Sequence, residues 1–190
     1  MEIVKIMTRL AILLITTVTA LALLVSGVRA QIPRLPEPEQ SRPWAAYFSP
    51  NGGATQAVVE ALGRATQTVL VQAVTVSSPP IVKALIDAHQ RGVKVEVILE
   101  RSSARARYTA AAALAQAGIV TLIDGAHHAA SNNVMVIDGQ VVLTGGFTFT
   151  TAAERDNAEN LLVIHAPGLA TRYGDNWKLH AAHSTRFVAR

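Results

Sequence analysis

The stretch "SNNVMVIDGQVVLTGGFTFT", Ser131–Thr150, decides the fold. Two β-rich runs, Val134–Ile137 and Val141–Thr144, flank Asp138 and Gly139, a dipeptide typical of a tight hairpin turn. A glycine pair and alternating Phe and Thr residues follow the second run. A frame of this kind presents reactive side chains at its first strand, yet here that strand begins Ser-Asn-Asn. These residues bring no strong acid, base or cation, so the hairpin is either a catalytic frame without its reactive groups or a plain structural element.

Upstream of the hairpin, predicted strands alternate with predicted helices. The strands are Thr66–Val76, Val93–Leu99 and Ile119–Ile123, and the helices between them are Ile81–Arg91 and Tyr108–Ala117. Right-handed crossovers of this type build a parallel or mixed sheet with helices on its faces. Downstream, Asn160–Ile164 predicts a further strand and Leu169–His180 predicts a closing helix.

The first thirty residues have the pattern of a secretory signal peptide. Lys5 and Arg9 precede an almost wholly apolar run, and Val28-Arg29-Ala30 gives a small-x-small cleavage pattern. The alternative is an uncleaved anchor, but the run is short for a membrane span, which needs about 20 residues. We therefore expect cleavage after Ala30 and a periplasmic or secreted product.

Residues 31–43, "QIPRLPEPEQSRP", are rich in Pro and charge and predict an extended tether. One domain is then expected over residues 44–190. The chain contains no Cys, so this exported domain would be stabilised by packing without disulfides.

The basic charge of the chain belongs in part to the leader. Removing Lys5, Arg9 and Arg29 from the 17 basic residues, and Glu2 from the 13 acidic residues, lowers the net charge from +4 to +2. A polyanionic partner is compatible with this charge but is not required by it.

Three stretches resemble the phospholipase D superfamily in its single-motif, endonuclease-like branch. They are "VQAVTVSSPPIVKALIDAHQRGVKVEVILE" from Val71, "VMVIDGQVVLTGGFTFTTAAERDNAENLLVI" from Val134, and the tail that contains Trp177. The resemblance extends from about Ala46 to the end of the chain. It implies an α/β fold of the phospholipase D type, with a mixed sheet flanked by helices on both faces.

Members of this family carry the motif His-x-Lys-x-x-x-x-Asp, followed by Gly-Ser-x-Asn. The resemblance implies that a His attacks phosphorus while a second His, from another copy of the motif, protonates the leaving oxygen. Lys and Asn hold the phosphoryl oxygens as charge develops. No metal or other cofactor is needed, and single-motif members assemble the paired site as homodimers.

The family pattern matches this chain at four positions and departs from it at four. The matches are Asp138, Gly145 and the acid-amide pair Glu159-Asn160. The departures are Ser131 in place of His, Asn133 in place of Lys, Gly146 in place of Ser, and Thr148 in place of Asn. The motif is therefore degenerate at its reacting centre while the surrounding frame is kept.

These departures remove both the nucleophile and the cation. The hydroxyl of Ser131 is a weak nucleophile at pH 7 unless a base activates it, and Asn133 carries no charge. A homodimer cannot restore the groups, because both copies lack them. His127 and His128 are possible substitutes from the preceding loop; the alternative is that they are a solvated loop pair.

Two further groups are candidates for ligand binding. Arg101, Arg105 and Arg107 follow a predicted strand whose carboxyl end is a common ligand position, where arginines could grip phosphates. A solvated helix start is the alternative. His180 and His183 have a helical i, i+3 spacing that suits a metal, but the sequence shows no third ligand, so no metal site is predicted.

Two functional hypotheses follow. The first is a pseudoenzyme that binds phosphodiesters, either nucleic acid or phospholipid headgroups, with weak or no hydrolysis. The second is an active, metal-independent phosphodiesterase, an endonuclease or a phospholipase D, that uses a rearranged site. A homodimer is expected, and a mixed dimer with an intact relative would supply the missing groups.

Overall fold

The computed structural model describes residues 43–104 and 110–188. Its strands are β1 (Trp44–Phe48), β2 (Thr68–Ala73), β3 (Lys94–Glu100), β4 (Val120–Asp124), β5 (Asn133–Ile137), β6 (Val141–Thr144), β7 (Asn160–His165) and β8 (Thr185–Arg186). Its helices are α1 (Ala54–Arg64), α2 (Pro79–Gln90), α3 (Ala110–Gln116), α4 (Thr151–Arg155) and α5 (Pro167–His183), with a 3₁₀ turn at Arg101–Ala104.

The eight strands form one mixed sheet in the order β1-β7-β6-β5-β2-β3-β4-β8. The pairs β2–β3 and β3–β4 are parallel, because α2 and α3 return the chain to the same edge each time. All other pairs are antiparallel, and the two halves meet where β2 pairs with β5. The predicted mixed α/β sheet is confirmed.

Helices pack on both faces of the sheet, because successive side chains of each strand point to opposite faces. Val69, Val71 and Ala73 of β2 belong to the larger core, with the apolar sides of α1, α2 and α3. Leu70 faces the opposite side, where residues of β5 and β6 pack against Ala170 of α5. This arrangement confirms the prediction of helices on both faces.

Local sequence explains the hairpin turn and the long last helix. Asp138 and Gly139 both have positive φ, 53° and 62°, which is the backbone of a type I′ turn. The predicted end of the last helix at His180 was too early: α5 continues to His183, because no helix-breaking residue intervenes. The extra turn places His180 and His183 on one side of the helix.

The predicted signal peptide and nearly all of the predicted tether lie outside the described residues. The division into leader, tether and domain therefore stays a prediction. Among residues 43–104 and 110–188, no helix combines the length and hydropathy that a membrane crossing needs.

Candidate functional site

One edge of the sheet gathers most of the positions that the family motif marks. Because β5 runs antiparallel to β2, its first residue, Asn133, lies beside Ala73 at the end of β2. The end of β6 is next to it, with Thr144 paired to Val134. Asn160 begins β7 at the same edge. We call this edge the motif edge.

Ser131 and Asn133 differ in how they are held at the motif edge. Ser131 is exposed, and its hydroxyl makes no hydrogen bond to another described residue. Asn133 is 8% exposed, and its Oδ1 accepts a hydrogen bond of 3.4 Å from the backbone N–H of Val74. The amide therefore helps to join β5 to the end of β2 and brings no positive charge.

The glycine pair packs closely against Asn160. Gly145 has φ 147°, and a Cβ there would lie 2.4 Å from the Asn160 carbonyl oxygen. A Cβ at Gly146 would lie 3.6 Å from the Asn160 side-chain nitrogen, which is an ordinary contact. Gly145 is therefore required by the backbone, whereas the Ser that the family has at position 146 would fit.

Thr148 and Glu159 are joined by hydrogen bonds. The Glu159 carboxylate accepts from the backbone N–H of Thr148 at 2.7 Å, from its hydroxyl at 3.2 Å and from the side-chain amide of Asn157 at 2.7 Å. Glu159 is thus an acceptor that shapes the loop after β6. The position of the family's Asn is occupied by a hydroxyl that already donates to a carboxylate.

Asp138 lies at the other end of β5, about 16 Å from Asn133 at about 3.3 Å per residue. Its carboxylate accepts from the backbone N–H groups of Thr66, Gln67 and Thr68 at 2.8–2.9 Å, and from the Thr66 hydroxyl at 2.9 Å. Burial raises the pKa of Asp138, but these hydrogen bonds outweigh it and hold the pKa below its usual range. The structure places this motif residue at the start of β2, away from the motif edge.

The two candidate substitutes have different surroundings. The Nδ1 atom of His127 lies 3.0 Å from the carboxylate of Asp124. The side chain of His128 is exposed, and its carbonyl oxygen accepts a hydrogen bond of 3.1 Å from Arg101. Arg105 and Arg107 lie outside the described residues.

Sequence reasoning missed Asp124, the last residue of β4. Its carboxylate is fully buried and is contacted by His127, by His180 at 3.0 Å and by His183 at 3.5 Å. We call these four residues the Asp–His cluster. Burial raises the pKa of Asp124, but hydrogen bonds from His180, His127, the Ala126 N–H and His183 lower it to about 2. The signal was present as two short patterns, Asp-x-x-His after a strand and His-x-x-His in a helix.

The sequence showed no third ligand beside His180 and His183, so no metal site was predicted. The fold brings Asp124 and His127 to them, and one ligand atom of each residue lies within 4.8 Å of the others. Neither short pattern indicates that the two pairs meet, because Asp124 and His180 are 56 residues apart along the chain.

The chain has a mixed α/β sheet, and the first strand of its hairpin motif, its glycine pair and its acid-amide pair meet at one edge. These features define the class of phosphodiesterases of the phospholipase D type. Comparison with known proteins supports this class. The family model described as "Cardiolipin synthase, PLD-like domain" matches residues 58–178.

Two named relatives and two solved structures show the extent of the similarity. A phospholipase D from Rickettsia typhi is 39% identical over 141 residues, which cover 74% of this chain and 69% of that protein. A mitochondrial cardiolipin hydrolase from Xenopus laevis is 35% identical over 47% of this chain and 42% of its own. The phospholipase D family member Nuc from Salmonella typhimurium superimposes with a TM-score of 0.73 at 30% identity, over 76% of this chain and 97% of Nuc. NucT from Helicobacter pylori, at 15% identity, shares the fold with a TM-score of 0.70 over 76% of this chain and 99% of its own.

The chain belongs to the phospholipase D superfamily, in its endonuclease-like branch. The sequence-based resemblance is thereby confirmed.

The glycine pair yields a matched test of the motif edge. We expect Gly145→Ala to lower the free energy of unfolding by about 1–3 kcal/mol, because the new Cβ would strain the backbone and meet Asn160. Gly146→Ala should change it by no more than about 0.5 kcal/mol. Urea denaturation of both variants measures the difference. Equal stability of the two variants would contradict the close packing of Gly145 on Asn160.

Asp138 yields a pH-dependent prediction. Asp138→Asn should lower the free energy of unfolding at pH 7 by about 2 kcal/mol, because a charged acceptor of several hydrogen bonds is lost. Since the folded-state pKa is depressed, the carboxylate stabilises the protein above its unfolded pKa of about 3.9. That stability is lost as the pH falls through the folded-state pKa. Urea denaturation at a series of pH values below 7 should show the free energies of unfolding of the two proteins becoming equal. A difference in the free energy of unfolding that does not change with pH would contradict this role.

Proposed function

We propose that this chain is an exported, phosphodiester-binding member of the phospholipase D superfamily that hydrolyses its ligand weakly or not at all by the histidine route. One observation carries the proposal. Ser131 and Asn133 stand where the family has its nucleophile and its cation, on a motif edge whose other contacts are intact.

The nucleophile is the first missing function. A serine hydroxyl needs a base within about 2.6–3.2 Å to attack phosphorus at neutral pH. Among the described residues, the Ser131 hydroxyl has no hydrogen-bond partner. The imidazole ring of His127, four residues earlier in the chain, is hydrogen-bonded to Asp124 instead. These contacts support the absence of an activated nucleophile at this position.

The charge that stabilises the transition state is the second missing function. Removing one donor from an oxyanion-type site costs about 10²–10³ in rate. Asn133 is a neutral amide whose oxygen is turned to the Val74 N–H, and Thr148 donates to the carboxylate of Glu159. Both positions are therefore engaged in holding the frame rather than in presenting charge to a phosphate.

Binding of a phosphodiester has support from the position of Arg101. It follows β3 directly, at the same end of the sheet as the end of β2, and its side chain is 46% exposed. One guanidinium nitrogen binds the His128 carbonyl, and another lies 3.6 Å from Glu100, which leaves further N–H groups for a ligand. The relatives' names, phospholipase D and cardiolipin hydrolase, suggest a phospholipid headgroup, and Nuc suggests a nucleic acid.

The proposed assembly is a homodimer in the periplasm or outside the cell. The chain carries one copy of the motif, whereas the family reaction uses a pair of motifs. A mixed dimer with an intact relative would place one His and one Lys opposite Ser131 and Asn133. Export rests on the leader pattern of residues 1–30.

Hydrolysis through a rearranged site is the second candidate. The observation in its favour is the hydrogen bond between His127 and Asp124, because a carboxylate that orients an imidazole is a common feature of acid–base sites. His128 is the other candidate base, since it is exposed three residues before Ser131. Under this alternative, the unmodified protein turns over substrate, and His127→Ala or His128→Ala abolishes the activity.

Restoring the two missing groups tests the proposal. With chelator present, the unmodified protein should not cleave bis-p-nitrophenyl phosphate above background, because nucleophile and cation are absent. Ser131→His combined with Asn133→Lys, and the same pair with Gly146→Ser and Thr148→Asn, should raise the rate by at least about 10². Initial rates and thermal melts of each protein provide the measurement.

The matched control is Ser131→Asn combined with Asn133→Gln, which adds bulk without an imidazole or an ammonium group. It should stay at background. Metal-independent turnover by the unmodified protein would overturn the proposal, and its loss in His127→Ala or His128→Ala would establish the second candidate.

Arg101 provides a separate test of binding. Arg101→Gln should weaken the binding of a fluorescent oligonucleotide or of anionic phospholipid vesicles about 3- to 10-fold. It should also reduce the slope of the logarithm of the binding constant against the logarithm of the salt concentration by about one. Arg64→Gln, at the end of α1, is the control and should leave both unchanged. Fluorescence anisotropy and vesicle co-sedimentation between low and moderate salt measure the effect. Binding that is independent of salt would argue against a phosphate ligand of Arg101.

A further inference from the structure

The Asp–His cluster joins two distant parts of the chain. Asp124 ends β4 and His127 lies in the loop that follows, whereas His180 and His183 occupy the last turn of α5. The carboxylate of Asp124 points to the face of the sheet on which α5 lies. The cluster therefore stands at the same edge of the sheet as Asn133, but on strands farther along the sheet.

The three imidazole rings converge on one carboxylate oxygen. Oδ2 of Asp124 lies 3.0 Å from Nδ1 of His127, 3.0 Å from Nδ1 of His180 and 3.5 Å from Nε2 of His183. The ring centroids of the three His residues are 5.0, 5.0 and 5.3 Å apart. Four potential ligand atoms thus lie within 4.8 Å of one another.

Hydrogen bonding accounts for the directions of His127 and His180 but not for that of His183. A carboxylate oxygen has about two lone-pair sites, yet three ring nitrogens face Oδ2. Oδ1 accepts from the backbone N–H of Ala126 at 3.1 Å and also lies 3.1 Å from Nδ1 of His127. His183, at 3.5 Å, is at the limit of a hydrogen bond, so its direction toward the carboxylate is not explained by that contact.

A tetrahedral metal ion accounts for all four directions. For bond lengths of about 2.0–2.2 Å, neighbouring ligand atoms of a tetrahedral zinc site lie about 3.3–3.6 Å apart. The distances from Oδ2 to the three ring nitrogens, 3.0–3.5 Å, are close to this spacing. Side-chain rotations would draw the four ligand atoms, which lie within 4.8 Å of one another, onto one ion.

The donor set selects zinc among the common divalent ions. Imidazole nitrogens suit zinc and the neighbouring late transition metals, whereas calcium and magnesium prefer oxygen ligands. Three His and one carboxylate fill a tetrahedral shell, which is the pattern of a structural zinc site. The buried carboxylate also supplies the negative charge that offsets part of the charge of the ion.

We propose that Asp124, His127, His180 and His183 bind one zinc ion, which ties the end of α5 to the end of β4. This inference does not rest on the proposed function, because none of the four residues stands at a motif position. The bound ion would also hold the loop of residues 125–130, which leads into Ser131 at the motif edge.

Zinc binding to the protein expressed as the whole chain, without a polyhistidine tag, tests the proposal. After treatment with chelator and dialysis, the protein should take up one Zn²⁺ per chain, measured by elemental analysis and isothermal titration. Zn²⁺ should raise its melting temperature, and Co²⁺ should give the intense visible absorption of a tetrahedral site.

The principal variants are His183→Gln and the pair His180→Gln with His183→Gln. His183 is 38% exposed, so His183→Gln should fold normally. Zinc affinity should fall at least about 10-fold in the single variant and further in the pair. Asp124→Asn retains the shape of the buried side chain and should also lose affinity. His128→Ala, which removes an exposed imidazole of the same loop, is the control and should bind zinc as the unmodified protein does.

Three outcomes would overturn the proposal. They are uptake of much less than one zinc per chain, unchanged affinity in a folded His183→Gln variant, and an equal loss of affinity in His128→Ala. The melting temperature of each metal-free variant shows whether it is folded. Since all readouts are binding and stability, the result is independent of whether the protein hydrolyses phosphodiesters.

Discussion

The carboxylate of Asp138 links the two halves of the sheet at one end of the strand pair that joins them. It accepts the backbone N–H groups of Thr66, Gln67 and Thr68, which lead into β2, and it stands in the turn that ends β5. β2 and β5 are the pair at which the parallel half of the sheet meets the antiparallel half. Because side chains alternate across a strand, a shift of one residue in this pairing would turn every side chain of β5 to the opposite face. The position of Asn133 beside the end of β2 therefore depends on a contact at the far end of the strand.

Two chemically different sites lie at one edge of the sheet. The motif edge is formed where antiparallel strands start and end around β5, and the Asp–His cluster is formed at the end of β4. The loop of residues 125–130 connects them, since it starts after Asp124 and leads to Ser131. His127 and the carbonyl oxygen of His128 bind to Asp124 and Arg101, respectively. These contacts hold the loop of residues 125–130 in place. They therefore also influence the position of the backbone that leads into Ser131.

The fold could be predicted from the sequence because its helices, strands and turns are each indicated by local sequence patterns. Period-two strands, glycines at helix ends and the Asp138-Gly139 turn each act within a few residues, and the family pattern supplied their arrangement. The Asp–His cluster was not predictable in the same way. Its members become neighbours only through the packing of α5 on the sheet, over a separation of 56 residues between Asp124 and His180. The bonding of Asp138 to residues 66–68 escaped prediction for the same reason, since a turn residue gives no indication of its distant partners.

The frame around the motif positions is stabilised mainly by contacts that do not involve the side chains of Ser131 and Asn133. Asp138 binds backbone at the start of β2, Glu159 binds Thr148, and Gly145 packs on the backbone of Asn160. Ser131 is exposed, and the Asn133 side chain accepts one hydrogen bond of 3.4 Å, from the backbone N–H of Val74. An intact hairpin motif is evidence for the fold, whereas the imidazole and ammonium groups at its first strand are the evidence for hydrolysis.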